Sequence, residues 1–304
     1  MDTILDGLAH ARTYPYKGKE NLFTTVQQEQ AQNDTTPVSE YVVFSHVDDK
    51  AFADLSRQDS DNDNDNDEDE DGDCEGCNNN YSIIPALIKD YSPLYNLLVV
   101  RMTVSESHEQ LHNTLAQLIN DQVRDIGLKG QLRQMGSTDV RTRSRAKRPD
   151  YSFKPRRLPG GRSDKWPTVA IEVGYSESLH KLQADASFWV TESGGDIKIV
   201  LIAKMNRSKR EIVLQKWEPS SSSSQGQAAA GLTQEITISK RAVWGEEDDI
   251  GGVKSGPLVV EFEKLFLRPA GQAPEADLVI SDDVLLDMAE QVWETQPFPD
   301  HKQS

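Results

Sequence analysis

The feature that most constrains this chain is a short apolar run near its middle, Val169-Ala170-Ile171-Glu172-Val173-Gly174, opened by Pro167 and interrupted by one carboxylate. Near-continuous hydrophobicity over so few residues reads as a strand buried on both faces. Side chains alternate across a strand. Val169, Ile171 and Val173 therefore share one face, and Ala170, Glu172 and Gly174 the other. An ionised Glu on such a strand is costly unless it is paired or holds a metal. Glu172 is either a strand-end carboxylate meeting water or an arginine, or a ligand.

Elements on both sides fit a single α/β domain. Leu111, Leu115, Leu118, Ile119 and Ile126 recur at helical spacing, with a capping-box pattern at Ser107 and Gln110 and a Gly127 stop. Met135–Val140 and Pro149–Phe153 read as strands, and Leu179–Val190 as a helix. Ile197–Ile202 and Glu211–Trp217 read as a hairpin, followed by strands at Glu235–Ile238 and Leu258–Phe262 and a helix at Asp282–Trp293. Tyr41–Phe44 is a further candidate strand, and Leu97–Val100 an apolar run ahead of the first long helix. The expected fold is α/β (α+β): a mixed β-sheet flanked by helices, over 81–293. Residues 1–80 are expected to be disordered, with flexible loops at 219–231 and 245–256 and a loose tail at 294–304.

Charge is unevenly placed. The net charge is −17, but residues 48–77 carry 14 Asp/Glu against Lys50 and Arg57. The remainder sums to −5, which is ordinary for a folded domain. The Asp/Asn/Glu run at 59–73 repels itself and cannot build a core. Two motifs lie at its end. Asp67, Asp69, Asp71 and Asp73 imitate the start of a calcium loop but lack the closing Glu. Cys74 and Cys77 form a CxxC, which offers two of the four ligands a structural zinc needs. Two cysteines form no disulfide framework, so a reducing compartment, cytoplasm or nucleus, is expected. No secretory leader or membrane-length apolar run is visible.

Three groups of residues could carry chemistry. His108-Glu109-Gln110-Leu111-His112 is HExxH, which on a helix sets two imidazoles on one face beside a carboxylate, as zinc peptidases do. A third ligand at a peptidase spacing is not evident. Asp150 and Glu172 form a second group. Carboxylates from adjacent strands can bind Mg²⁺ (or Mn²⁺), which would activate water and screen phosphate charge. The third group is basic: residues 141–165 hold ten Lys/Arg, among them Arg141, Arg143, Arg145, Lys147 and Arg148, against two Asp. Such a run suits DNA or RNA phosphates, or it answers the acidic tract or serves nuclear import.

The order helix, strand, Pro149-Asp150, strand with Glu172, helix resembles the PD-(D/E)XK restriction-endonuclease-like superfamily. Glu172–Ser178 and the helix and hairpin that follow are similar to its Uma2-like branch and to a set of fungal proteins. The resemblance spans about residues 95–215. It implies a restriction-endonuclease-like core, Mg²⁺-dependent cleavage of DNA, and Glu109 as an acidic ligand beside Asp150 and Glu172. It departs from the family at one point: the lysine expected two residues after Glu172 is Gly174. Some members move that lysine to the next helix, where Lys181 is the candidate, although Asp185 occupies the Uma2-like position. Three functions follow: a metal-dependent nuclease using Asp150, Glu172 and Lys181; an inactive nuclease-fold protein binding nucleic acid or protein; or a zinc peptidase.

Overall fold

A computed structural model describes residues 3–8, 10–35, 39–57, 81, 83–102, 105–175, 178–220, 228–241, 250–296 and 298. The acidic run, its calcium-loop imitation and Cys74/Cys77 lie outside the described residues. The chain divides into two compact units. One holds residues 1–7, 104–140 and 148–304, and the other residues 8–103 and 141–147.

The smaller unit corrects the expectation for residues 1–80. Its elements are β1 (Arg12–Pro15), α1 (Lys19–Thr35), β2 (Tyr41–Ser45), α2 (Asp49–Ser56), α3 (Ile84–Leu87), β3 (Ile88–Ser92) and β4 (Leu97–Arg101). Leu22, Val26, Val42, Phe44, Phe52, Leu55, Leu98 and Val100 form its core. α1 has almost no amphipathic pattern, because only Leu22 and Val26 of its Gln-rich sequence are buried apolar residues. Helices this polar are held by packing, not by propensity, so periodicity does not reveal them. β1 pairs in parallel with β2, and β2 and β3 each pair antiparallel with β4.

In the larger unit, α4 spans Glu106–Asp125. Its cap is Ser105, whose side chain accepts from the His108 N–H, two residues ahead of the expected capping box. Gly127 follows the C-terminus with φ +79°, as a helix stop requires. β5 is Leu132–Gln134, so the expected strand at 135–140 starts and ends earlier. β6 (Val140–Arg141) and β7 (Ala146–Lys147) are two-residue strands, and β7 belongs to the smaller unit, where it pairs with β3.

Next come β8 (Tyr151–Pro155), β9 (Val169–Gly174), α5 (Leu179–Glu192), β10 (Ile199–Met205), β11 (Glu211–Ser220), β12 (Ala229–Arg241) and β13 (Ile250–Lys254). The seven strands run in the order β13-β12-β11-β10-β9-β8-β5. Only β9 and β10 are parallel, and α5 makes the crossover between them. All other pairs are antiparallel. The order α4–β5–β8–β9–α5–β10 is the one the resemblance implied.

The expected hairpin is β10–β11, β11 and β12 both run beyond the expected strands 211–217 and 235–238, and β13 replaces part of the expected loop 245–256. Gly251 in β13 serves close packing: a Cβ there would lie 2.9 Å from the Leu286 side chain. The last elements are β14 (Leu258–Val260), α6 (Phe262–Phe266), β15 (Leu278–Ile280) and α7 (Asp282–Thr295). Phe262 therefore opens a helix and does not end a strand.

The two faces of β9 divide as its alternation predicts. Ile171 and Val173 pack with Leu111 and Leu115 of α4 and Val292 of α7. Ala170 packs with Leu182, Ala186 and Trp189 of α5. The fold is α/β, with mixed sheets flanked by helices. No helix among the described residues is long and apolar enough to cross a membrane.

Candidate functional site

Asp150 immediately precedes β8, and Glu172 lies in the neighbouring strand β9. The Asp150 N–H donates to the Ile171 carbonyl at 3.1 Å, next to the Tyr151–Ile171 pair. From that shared level their carboxylates meet different helices. Asp150 Oδ2 accepts from the Val173 N–H at 2.7 Å and lies 3.4 Å from His108 Nε2 on α4. Glu172, 1% exposed, accepts from Trp189 Nε1 on α5 at 2.6 Å. α4 and α5 cover opposite faces of the sheet.

Lys181 sits in the first turn of α5, behind the Ser178 cap. Its Nζ lies 2.6 Å from both Asp185 oxygens, one turn further on, and both side chains are buried. The candidate lysine and the acid that follows it one turn later are therefore bonded to each other. The segment before β1 adds a cover. Gly7, at φ +77°, lies so close to Lys181 that a Cβ would sit 2.5 Å from the Lys181 Cα. Only Gly tolerates both the angle and the approach. Asp6 contacts His180 alongside at 2.8 Å.

Glu109 belongs to a different group. His108, Glu109 and His112 offer ligand atoms within 4.8 Å of one another, and they are the only such trio among the described residues. Glu109, Asp150 and Glu172 do not form one. His108 Nδ1 lies 3.7 Å from Glu109 Oε1, and His112 Nε2 lies 3.6 Å from Glu109 Oε2. Both imidazoles are buried, while the Glu109 side chain is 51% exposed. Proximity to the His108 and His112 imidazoles holds the Glu109 carboxyl below the usual carboxylate range, although burial works against this. Burial pushes the His112 imidazole down, with Glu109 and Asp150 opposing. The HExxH spacing made this trio visible in sequence. What sequence could not show is Val173, 65 residues away, whose carbonyl lies 3.0 Å from His108 Nε2.

A cavity of about 400 Å³ opens beside this helix, lined by Gln110, Asn113, Thr114, Gln117, Asn120 and Tyr151 among others. It is rich in amides. Asp150, Glu172 and Lys181 do not line it.

The basic run is mostly occupied by internal partners. In the smaller unit, Arg145 makes a two-point contact with Asp90 at 2.7 and 2.5 Å, and Lys147 reaches the same carboxylate at 3.2 Å. All three are buried. Arg141 stacks over the Phe52 ring at 5.1 Å. In the larger unit, Arg148 donates to Asp139 at 2.7 Å. Arg141 and Arg143 are the exposed members of the five.

No protein-family model and no curated protein sequence matches the chain. Among solved structures, it is similar to a candidate nuclease belonging to DUF820 from Anabaena variabilis ATCC 29413. The identity is 12% and the TM-score 0.30, over 41% of this chain and 70% of that one. A likeness this slight does not bear on chemistry.

Proposed function

We propose that this chain is a nuclease-like scaffold that binds a partner and performs no phosphodiester chemistry at Asp150 and Glu172. The observation that carries this reading is the Lys181–Asp185 pair. The cation that would stabilise a developing phosphorane charge is bonded to both oxygens of a buried carboxylate. The alternative position, Gly174, has no side chain. A buried ion pair of this kind is costly to break, so recruiting Lys181 for catalysis would first require the loss of a structural contact. The neighbouring carboxylates support the same reading. A Mg²⁺ site needs several oxygens converging on one point, whereas Asp150 turns to Val173 and His108, and Glu172 to Trp189.

Nucleic acid is one class of partner for such a scaffold, through the basic run. Arg145 and Lys147 are committed to Asp90, so any phosphate contact made there falls to Arg141 and Arg143. Two neutralised phosphates give a salt dependence of about −1.8 in log K against log salt, shallow for a duplex-binding protein.

The test is a cleavage assay on the full chain with Mg²⁺ or Mn²⁺, using supercoiled DNA, single-stranded DNA and RNA. The expected result is no turnover above buffer, and no difference between the parent and Glu172→Gln. Metal-dependent nicking that disappears in Glu172→Gln would overturn the scaffold reading and restore the nuclease.

A further inference from the structure

We propose that His108, Glu109 and His112 form a binding site for a divalent first-row transition metal such as Zn²⁺, separate from Asp150–Glu172 and independent of the scaffold reading. The proposal rests on three observations: how the ligand atoms converge, which nitrogens carry hydrogen, and how the site is exposed.

Convergence comes from helix geometry. Positions i, i+1 and i+4 of α4 bring two imidazoles and one carboxylate within 4.8 Å. Zinc bonds to nitrogen and oxygen are about 2.0–2.2 Å long, which puts tetrahedral neighbours about 3.4 Å apart. Glu109 Oε1 lies 3.7 Å from His108 Nδ1 and its Oε2 lies 3.6 Å from His112 Nε2, each within a few tenths of an ångström of that value. The exposed Glu109 side chain can close the difference by turning.

The two tautomers follow from backbone partners. A carbonyl only accepts, so His108 Nε2, 3.0 Å from the Val173 carbonyl, is the nitrogen bearing hydrogen. The nitrogen facing Glu109 is then Nδ1 with its lone pair. His112 Nδ1 likewise lies 3.2 Å from the His108 carbonyl, which leaves the Nε2 lone pair on the side of Glu109. Metal-binding histidines are oriented in this way by outer partners of the distal nitrogen. Asp150, 3.4 Å from His108 Nε2, adds a carboxylate to that outer layer. It thereby acquires a role as a positioning residue.

The chemistry of the set selects the ion. Two imidazoles and one carboxylate suit Zn²⁺, Fe²⁺, Co²⁺ or Ni²⁺, whereas Mg²⁺ prefers all-oxygen surroundings. Three protein ligands leave one position for water or another ligand. This arrangement differs from the peptidase reading of HExxH. There the Glu acts as a base next to the metal; here Glu109 faces both imidazoles and serves as the third ligand.

The experiment uses the full chain with Cys74→Ser and Cys77→Ser, stripped with chelator and titrated with ZnCl₂ by calorimetry near neutral pH. Co²⁺ absorption is recorded in parallel. One equivalent should bind, and Co²⁺ should give visible d–d bands without thiolate charge transfer. Affinity should fall in both Glu109→Gln and His112→Ala by more than the about 10–100-fold that loss of an outer partner costs. Circular dichroism checks folding, and if His112→Ala unfolds, Glu109→Gln decides alone. No uptake by the parent overturns the proposal. So does uptake of equal affinity in Glu109→Gln, which would place the ion on the acidic run.

Discussion

Two faces of one sheet carry the candidate acidic residues of the larger unit, and they are built on opposite terms. On the α5 face, Glu172 is held by Trp189 and Lys181 by Asp185, all buried, with Gly7 packed over the lysine. On the α4 face, Glu109 stands half in solvent between two imidazoles whose distal nitrogens are fixed by backbone carbonyls. A buried polar group with its bonds completed within the protein is a packing element. A cluster whose lone pairs converge on a solvent-reachable point can take a ligand. The comparison shows that a carboxylate's partners, more than its place in a motif, decide what it can do.

The widest separation of the two faces should come from Trp189→Ala. Trp189 is fully buried. Loss of a buried aromatic costs about 3–5 kcal/mol, and Glu172 also loses its indole donor. Urea unfolding followed by circular dichroism measures this, and a loss below about 1 kcal/mol would mean that the α5 face is not packed as described.

Asp185→Ala should cost about 3–5 kcal/mol, because it leaves Lys181 charged and buried. The double variant Lys181→Met/Asp185→Leu should recover much of that loss. If the double variant is no better than Asp185→Ala, the pair is not the isolated structural unit proposed here.

On the other face, Glu109→Gln should change stability by no more than about 0.5 kcal/mol, since its side chain is half exposed. The same thermal melt run with and without Zn²⁺ sharpens the contrast. The parent should gain stability by ligand linkage, and Glu109→Gln should gain far less.

The smallest effect lies away from both faces, at Arg268–Glu275. Two-point contact with Arg268 and a bond from the Gly271 N–H hold the Glu275 carboxyl down at about 2, below an ordinary value of 4.5. A depressed folded-state value means a stabilising contribution that is complete above about 4.5 and lost as pH falls toward 2. In Arg268→Ala, the Glu275 carboxyl resonance should titrate closer to the ordinary value. Both groups are exposed enough that stability near neutral pH should barely move.

Sequence carried the central part of the fold because its signals are local there. β9 is a compact apolar run, α5 and α7 show regular spacing, and Gly127 marks a helix end. In the smaller unit only β2 and β4 were visible, as the apolar runs at Tyr41–Phe44 and Leu97–Val100, and the rest escaped notice for the opposite reason. α1 shows little amphipathicity, and β1, β3 and β7 acquire partners far along the chain. The buried Asp90–Arg145 contact joins residues 55 apart, so the basic run reads as a surface patch until its partner is seen. For the site, helical spacing alone exposed the His108–Glu109–His112 group. The orientation of its rings depends on Val173, which spacing cannot reveal. Sequence brought Asp150 close to Glu172, although Asp150 stands just ahead of β8 and only Glu172 lies within a strand. Their side-chain directions depend on which helix covers each face, and that is a property of the assembled sheet.

The contact of Asp6 with His180 joins residues 174 apart in the chain. The loop it closes contains every residue of the smaller unit. Closing a loop of that length carries an entropic penalty that local contacts escape. The packing of Gly7 over Lys181 belongs to the same long-range closure, and it forms only when both ends of that loop have come together.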